Sequence, residues 1–418
     1  MSETAAQLLL DRCDELAAIS SNPEFLERVH LSPEHRAAND LVAGWMREAG
    51  LSTWQDAAGN QCGRLEGREP DLPALLLGSH IDTVPDAGRY DGMLGVLLAI
   101  AVVGRIRDSG LDLPFAIEVV AFSDEEGTRF GTALLGSRAL AGTWNDDWWN
   151  LADKNGITLF EAFQDFGLDP ARLPSAFRRP ENLVGYLEAH IEQGPFLEDA
   201  DRRLAVVTSI AGARRFTLSM VGKAGHAGGT PFDRRRDALV GASELVVEIE
   251  RVSKQHGVIG TVGRMQAFPG GVNVIPGRAE FSLDLRAEFD DDRDAALRAI
   301  HDAAQAIADR RGLHFEQHEI YRADAVVCDL DLRAAVEAGI RSTGDSDPLA
   351  FWSRAGHDGM AVVSVTPFAM LFLRCKGGIS HHPDESVLVG DVAVALDAFT
   401  AAVTTLAESS LAQSHAQR

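Results

Sequence analysis

The chain has 418 residues and a formal net charge of −23, which disfavours a nucleic acid or an anionic membrane surface as its partner. This length exceeds one ordinary hydrophobic core, so we expect two domains. The N-terminal segment has acids inside its apolar stretch and no basic region, which favours an amphipathic helix over a secretory signal. We find no apolar run near the roughly 20 residues that a bilayer requires, and therefore predict a soluble, cytoplasmic protein.

Short apolar runs alternate with helical patterns from about residue 35 to residue 210. The segments ALLLGSH, FAIEVVAFSDEE and LVGYLEAHIEQG are typical of strands, and each ends in His or acidic residues. GMLGVLLAIAVVGRIRDSG has the length and periodicity of a helix. This alternation predicts an α/β sheet with helices on both faces. In such sheets ligands bind outside the carboxyl ends of the strands, where these polar groups fall.

The segment 212–322 has a different pattern. An alternating strand is followed by a helix, two strands around Gly/Pro turns, a helix ended by Gly312 and a last strand. The order β-α-β-β-α-β is that of the ferredoxin-like split unit. Apolar strands then return, so we predict an inserted domain at 212–322 within an α/β domain formed by 1–211 and 323–418.

Four groups of His and carboxylate residues, distant in sequence, lie at or near the ends of apolar strands. Unpaired carboxylates are costly to bury, so they gather where a cation compensates them. Mixed His and carboxylate ligands suit zinc or manganese, and a bridging acid suits a two-metal site. The groups are His80, Asp82 and Asp91; Asp124, Glu125 and Glu126; His190 and Glu192; and His381 and His382.

A structural origin is open for each of these groups. A single His at a strand end is more often a hydrogen-bonded structural residue, and paired glutamates in a turn are usually solvated. No segment carries the zinc signature with two His one helical turn apart. The residues alone therefore leave a metal site and a structural role both open.

Six segments, in order over nearly the whole chain, carry a family resemblance: GSHIDTVPDAGRYDG, FSDEEGTRFGTALLGSRALAG, EAHIEQGPFLE, GKAGHAGGTP, GGVNVIPG and AGHDGMAV…GGISHHPDES. Together they resemble the hydantoinase/carbamoylase branch of the dinuclear metallo-aminoacylase and carboxypeptidase superfamily. The resemblance implies a mixed-sheet, metallopeptidase-like catalytic domain with an inserted ferredoxin-like α+β lid and dimerisation domain. It also implies a homodimer and two divalent metal ions per chain, Mn or Zn, with Co or Ni as alternatives.

The resemblance also implies the metal ligands. His80 and His190 would each bind one ion, with Asp91 bridging both. Glu126 would complete one shell and His381 the other, and His381 is preferred to His382 on the alignment alone.

The same resemblance makes Glu125 the general base and Asp82 the acid that orients His80. The residues agree with this, because positions 80 and 82 lie on the same side of an extended strand. Asp86 is interpreted as a solvated loop residue.

Five further residues match substrate-binding positions of the family. Arg286 would bind a substrate carboxylate through its guanidinium fork, with help from Asn273. His226 would stabilise the oxyanion of the tetrahedral intermediate, and Gln193 and His357 would line the pocket. Without the resemblance, Asn273 is an Asn in a Gly-rich turn, Arg286 an Arg at a strand end and His226 a surface His.

Three features lie outside this scheme. The family usually has a small residue where this chain has Arg354, which puts the substrate in doubt more than the reaction. The four cysteines have no paired spacing, so neither a disulfide framework nor a cysteine zinc site is predicted, and Cys375 is interpreted as a buried structural thiol. The tryptophans of TWNDDWWN are expected to pack helices onto the core rather than to bind a ligand.

The predicted activity is hydrolysis of the carbamoyl (ureido) C–N bond of a small carboxylate substrate. Allantoate is the favoured substrate, N-carbamoyl-L-amino acids come next, and N-carbamoyl-β-alanine is third. A dipeptidase or N-acyl amino acid hydrolase would fit the same ligand set. A non-catalytic binding protein is disfavoured because the implied ligands and base are all present.

Overall fold

The computed structural model describes residues 2–416, with side chains from residue 3 to residue 409. Two compact units are present. The first runs to Thr208 and also contains Cys328–Phe351 and the chain from Gly356 onward. The second consists of Ser209–Val327 with Trp352–Ala355.

The secondary structure alternates between strands and helices along most of the chain. The strands are β1 (Ser52–Gln55), β2 (Gln61–Leu65), β3 (Ala74–His80), β4 (Ala116–Phe122), β5 (Leu183–Ile191), β6 (Leu204–Ile210), β7 (Gly212–Val221), β8 (Gly225–His226), β9 (Ile259–Thr261), β10 (Met265–Phe268), β11 (Val274–Ile275), β12 (Arg278–Ala287), β13 (His314–Ala323), β14 (Val326–Val327), β15 (Leu349–Ser353) and β16 (Phe368–Leu373). The α-helices are α1 (Ser2–Ala17), α2 (Pro33–Glu48), α3 (Met93–Ser109), α4 (Leu135–Leu140), α5 (Leu159–Asp165), α6 (Phe196–Asp199), α7 (Ala238–His256), α8 (Asp290–Arg311), α9 (Leu330–Ser342), α10 (Gly359–Val362) and α11 (Val389–Ala416). Short 3₁₀-helices lie at Asp146–Asn150, Pro170–Ala176, Pro180–Asn182, Phe232–Arg234 and Lys376–Gly378.

The first unit is built on a mixed sheet with the strand order β1-β2-β4-β3-β5-β16-β6. The central pairs β3–β4, β3–β5 and β5–β16 are parallel, whereas β1–β2, β2–β4 and β6–β16 are antiparallel. Every residue of β3, β4 and β16 is buried, because helices cover both faces of a parallel sheet and select continuous apolar runs. The predicted mixed α/β architecture is confirmed.

The second unit contains an antiparallel sheet with the order β10-β12-β7-β13, and β9 also pairs with β12. Alternate residues of β12 are buried, which places one face of the sheet against α7 and α8. Gly312 ends α8 in the left-handed conformation at φ 65°, as its position predicts. The segment between α7 and α8 forms four strands rather than the expected two, because its Gly and Pro residues interrupt the ladder.

Helix α11 corrects the expectation that no apolar run approaches the length of a membrane span. By length and composition alone, the stretch Val389–Ser409 is long and apolar enough to cross a membrane. Half of this stretch is buried inside the protein. Val392, Leu396, Phe399 and Val403 are fully buried along one face, and α11 packs against α9, α1 and α3. The core helix of a globular protein passes the same test, and these contacts make α11 such a helix.

The three tryptophans of TWNDDWWN pack on a hydrophobic cluster around α5, as the sequence predicts. The rings of Trp144 and Trp149 lie 4.9 Å apart, and Trp149 meets Phe163 edge-on at the same distance. Together they cover the fully buried Leu159 and Ala176. Their role in packing is therefore visible in the structure.

Candidate active site and metal centre

The carboxyl ends of three neighbouring parallel strands bring the predicted ligands to one edge of the first unit's sheet. His80 is the last residue of β3 and pairs in register with Phe122, the last residue of β4. His190 lies one residue before the end of β5. The two His side chains are buried and their rings stack with centroids 5.8 Å apart.

Asp91 lies between three histidines. One of its oxygens, Oδ1, is 3.2 Å from Nε2 of His190 and 3.8 Å from Nε2 of His80. The other, Oδ2, is 3.0 Å from Nε2 of His381. A carboxylate that faces His side chains with both oxygens has the arrangement of a bridging ligand.

The same site passes a test for metal binding. Nε2 of His190 and Oδ1 of Asp91 face each other without the geometry of a hydrogen bond, and neither has a hydrogen-bond partner among the described residues. Buried polar atoms are normally paired, so these two require a cation or water. Among the described residues, three of the four groups that offer ligand atoms within 4.8 Å of one another consist of predicted site residues: His80, Asp91 and His190; His80, Glu125 and Glu126; and Asp91, Glu126 and His381. The residues present fit two divalent ions.

Asp82 connects the end of β3 to the loop that follows β4. Its two oxygens accept the backbone N–H groups of Glu125 at 2.9 Å and Glu126 at 3.1 Å, and Oδ1 lies 3.4 Å from Nδ1 of His80. Burial acts to raise the pKa of Asp82, but His80 and the two N–H groups outweigh it and hold this pKa below its ordinary value. Asp82 is thus an ionised carboxylate that fixes both His80 and the two glutamates.

Glu125 and Glu126 have different surroundings. Glu126 approaches Nε2 of His381 at 3.4 Å, on the side of Asp91. Burial, followed by the negative charge of Glu126, raises the pKa of Glu125 well above its ordinary value. A bound cation would counter this shift. The role of general base requires the ionised carboxylate, which the cation would favour.

His381, rather than His382, faces the site. His381 has a left-handed backbone conformation with φ 55° and its side chain is about half exposed. The side chain of His382 is more exposed, and its Nδ1 accepts the N–H of Asp384 at 3.1 Å. This placement agrees with the preference drawn from the resemblance.

Gly92 allows helix α3 to begin directly beside His80. Its φ is 66°, and a Cβ atom at this position would lie 2.5 Å from the His80 ring. Because no side chain fits there, the last residue of GSHIDTVPDAGRYDG must be Gly. The exposed Asp86 of the same segment is a surface loop residue, as expected.

Gln193 and His357 both lie beside the proposed ligands. Nε2 of Gln193 donates to Oδ2 of Asp91 at 3.1 Å, from a residue with the unusual φ of 57°. The ring centroids of His357 and His190 are 4.5 Å apart. Burial, followed by the charge of His190, lowers the pKa of His357 well below its ordinary value, so its imidazole is neutral. Both residues therefore contact the side chain of a predicted ligand.

Two buried residues near the centre, Glu188 and Arg28, were not identified in the sequence. Glu188, on β5, offers an oxygen to the group formed with His190 and His357. Arg28 is fully buried, and its Nε donates to the carbonyl oxygen of Ile81 at 2.7 Å. Glu188 could have been noticed as an acid inside the apolar run YLEAHI. The sequence around Arg28 has no pattern that predicts its burial.

His226 and Asn273 lie close together in the second unit. Strand β8, which contains His226, pairs with β11, and the N–H of Ala227 donates to the carbonyl oxygen of Asn273 at 3.0 Å. Nδ1 of His226 accepts the N–H groups of Gly228 at 3.2 Å and Gly229 at 3.0 Å. Nδ1 therefore acts as the acceptor of the ring, which leaves Nε2 as its donor.

Arg286 is already paired in the second unit. Its Nε and Nη2 donate to the two oxygens of Asp284 at 2.8 and 3.2 Å, and Nη1 donates to the carbonyl oxygen of Arg354 at 2.8 Å. The guanidinium of Arg354 lies over the Trp352 ring at 4.5 Å. Arg286 is thus oriented by Asp284, a partner that the sequence does not indicate.

Comparisons with known proteins agree with this geometry. The sequence pattern of the peptidase family M20/M25/M40 matches residues 76–405. The N-carbamoyl-L-amino acid amidohydrolase of Geobacillus stearothermophilus is 40% identical over 404 residues, which cover 96% of this chain and 98% of that protein. The allantoate deiminase of Arabidopsis thaliana is 39% identical over 415 residues, covering 92% and 79%.

A solved structure is similar over the same length. The amidase of the hydantoinase/carbamoylase family from Burkholderia multivorans superposes with a TM-score of 0.89 at 33% identity. The similarity covers 96% of this chain and 98% of that one. The resemblance noted in the sequence is therefore confirmed over both units of the chain.

Proposed function

The chain belongs to the peptidase family M20/M25/M40, and from that premise we propose that it cleaves the carbamoyl C–N bond of a small carboxylate substrate. It is a hydrolase of C–N bonds, as its family and its amidohydrolase relatives indicate. The observation that carries the proposal is the position of Asp91 between His190 and His381, with Glu125 grouped with His80 and Glu126. Allantoate is our first candidate substrate.

The proposed metal ligands are His80, Asp91, Glu126, His190 and His381. Manganese or zinc is our first expectation for the ions, and cobalt or nickel suits the same donors. Two such ions would lower the pKa of water toward neutrality and polarise the carbonyl of the substrate. The protein supplies an ordered set of donors for this, because Asp82 and Gln193 hold His80 and Asp91 in place.

Glu125 is the proposed general base and acid. It takes a proton from the attacking water as the C–O bond forms at the ureido carbonyl carbon. It then returns this proton to the leaving nitrogen as the C–N bond breaks. The carbamic acid formed at this carbon then decomposes by breaking the second C–N bond, so that ammonia and carbon dioxide leave and the remainder of the substrate keeps its carboxylate. The position of Glu125 beside two proposed ligands, His80 and Glu126, supports this role.

His226 is the proposed donor to the oxyanion of the tetrahedral intermediate. Two backbone N–H groups occupy its Nδ1, so its Nε2–H is the hydrogen available for donation. A donor whose ring is fixed by two hydrogen bonds needs no rearrangement to act. The side chain is exposed in the second unit, which supports access to a ligand.

Arg286 is the proposed site for the substrate carboxylate, with Asn273 beside His226 as a further contact. Asp284 orients the guanidinium through Nε and Nη2, which leaves one N–H on each of Nη1 and Nη2 for a substrate carboxylate. We propose that 212–322 forms the lid and dimerisation domain of a homodimer, and that 1–211 with 323–418 forms the catalytic domain. Closure of such a lid would exclude water during the reaction.

A second candidate substrate class is favoured by a specific observation. The relative from Geobacillus stearothermophilus, at 40% identity, is named for N-carbamoyl-L-amino acids. The ratio of kcat/KM for allantoate to kcat/KM for several N-carbamoyl-L-amino acids and N-carbamoyl-β-alanine decides between the classes. A larger kcat/KM for allantoate supports the first candidate. A larger kcat/KM for another carbamoyl compound supports the same reaction on that substrate instead. Turnover of an N-acyl amino acid but of no carbamoyl compound would refute the proposal that the enzyme cleaves a carbamoyl C–N bond.

The proposed setting of the enzyme is the cytoplasm. A net charge of −23 and a small-molecule substrate support a role without nucleic acid or membrane partners. The burial of α11 in the first unit supports the same view.

A further inference from the structure

We propose that Glu385 is a positioning residue that holds two proposed metal ligands, Asp91 and His381, in their mutual arrangement. This inference rests on the ligand set of the proposed function. Glu385 ends the segment SHHPDE and is buried, with 3% of its surface exposed. A buried carboxylate is costly unless several donors surround it, so its partners indicate what it does.

One oxygen of Glu385 fixes the backbone that carries Asp91. Oε1 accepts the N–H of Tyr90 at 2.8 Å and the N–H of Asp91 itself at 3.1 Å. Both donors belong to the loop between β3 and α3, which contributes no ladder hydrogen bond here. The carboxylate therefore replaces the backbone partner that this loop lacks.

The other oxygen of Glu385 fixes the backbone that carries His381. Oε2 accepts the hydroxyl of Ser380 at 2.8 Å, and Oγ of Ser380 also lies 3.4 Å from Oδ2 of Asp91. The next residue, His381, has φ 55°, a conformation that persists only where its surroundings hold it. Glu385 thus connects two loops that are far apart in sequence. In one loop it binds the backbone of Tyr90 and Asp91, and in the other it binds Ser380, the residue before His381.

The packing of Gly88 supports the same role. A Cβ atom at Gly88 would lie 2.2 Å from Cδ of Glu385 and 2.3 Å from Oε1. The φ of Gly88 does not lie in the left-handed region, so its backbone conformation does not require glycine. Glycine is required there because the side chain of Glu385 occupies the space of a Cβ atom. Gly88 and Glu385 form one contact between the Asp91 loop and the His381 loop.

The test is a calorimetric titration of Mn²⁺ into chelator-stripped protein, with thermal unfolding of the stripped protein measured in parallel. E385A should weaken Mn²⁺ binding by about 10- to 100-fold, the usual effect of removing a group that orients a ligand. E385Q should lose much less, because its amide oxygen can still accept from Tyr90 and Asp91. D384N is the matched control: Asp384 is exposed, and its substitution should leave Mn²⁺ binding unchanged.

The variants separate positioning from folding. If E385A does not fold, S380A and G88A replace it, and each should weaken Mn²⁺ binding while the stripped protein unfolds cooperatively. Wild-type Mn²⁺ affinity in folded E385A, or in both replacements, would overturn the proposal. The titration contains no substrate, so wild-type protein that binds two Mn²⁺ without hydrolysing ureido compounds would refute the proposed function and leave Glu385 in place. Wild-type protein that binds none of Mn²⁺, Zn²⁺, Co²⁺ and Ni²⁺ would overturn both.

Discussion

Nε2 of His381 lies 3.0 Å from Oδ2 of Asp91, and this contact joins the C-terminal part of the chain to the loop after the first parallel strand. The adjacent His382 makes no such approach, because its ring interacts with Asp384 at the surface. The two neighbouring histidines therefore provide a matched pair of substitutions.

We predict that His381→Ala loses one of the two metal ions and lowers kcat/KM by at least about 100-fold, because a direct ligand matters at least as much as the groups that orient it. Metal analysis after dialysis and steady-state kinetics measure both effects. His382→Ala should keep both ions and nearly full activity. If the two variants exchange these results, the assignment of His381 is wrong.

Replacing Glu125 with Gln should abolish most turnover without metal loss. The amide cannot accept a proton from water, and general base catalysis contributes about 100- to 10,000-fold. Steady-state rates and metal content, measured on the same preparation, test this. A rate close to that of the wild type would refute the role of Glu125, and a loss of metal would make it a ligand instead.

Replacing Arg286 with Lys should raise KM more than it lowers kcat. Lys keeps the positive charge but cannot form the fork that binds a carboxylate, and charged hydrogen bonds contribute about 1.5–3 kcal/mol each. Initial rates over a range of substrate concentrations separate KM from kcat. An unchanged KM would place the substrate carboxylate elsewhere.

The four cysteines should not react with iodoacetamide in the folded protein at pH 8. Burial raises the pKa of Cys375 to about 11 and that of Cys328 to about 12, and it also raises the pKa values of Cys13 and Cys62. Since a raised thiol pKa means that the neutral form persists as pH rises, only about 0.1% of Cys375 would be thiolate at pH 8. Mass spectrometry should find no label before denaturation and four labels after it. Rapid labelling of the native protein would contradict the buried, structural role of these thiols.

The site residues at the ends of the parallel strands could be predicted from the sequence, but the contacts that hold them in place could not. Residues at the ends of parallel strands must meet at one edge, so His80, His190 and Glu125 could be grouped from strand patterns and the resemblance. Glu385 could not, because its partners are backbone N–H groups and a hydroxyl in loops that no spacing rule connects.

Burial explains two further differences between expectation and structure. Arg28 is an unusual core residue, since guanidinium groups are mostly exposed, and it is held by carbonyl oxygens of Leu16 and Ile81. The sequence of helix α11 does not form an uninterrupted apolar run, because it contains Asp391 and Asp397. Asp391 is nevertheless buried and paired with Arg374 at 2.8 Å, which only the folded chain reveals.

The central claim is metal-dependent hydrolysis of a ureido bond, and ammonia release before and after chelation tests it most directly. Purified protein stripped with a chelator should release no ammonia from allantoate or an N-carbamoyl-L-amino acid, and two equivalents of Mn²⁺ per chain should restore the release. Ammonia release by the metal-free protein would contradict the account. So would the absence of ammonia release from every ureido compound after full reconstitution with metal.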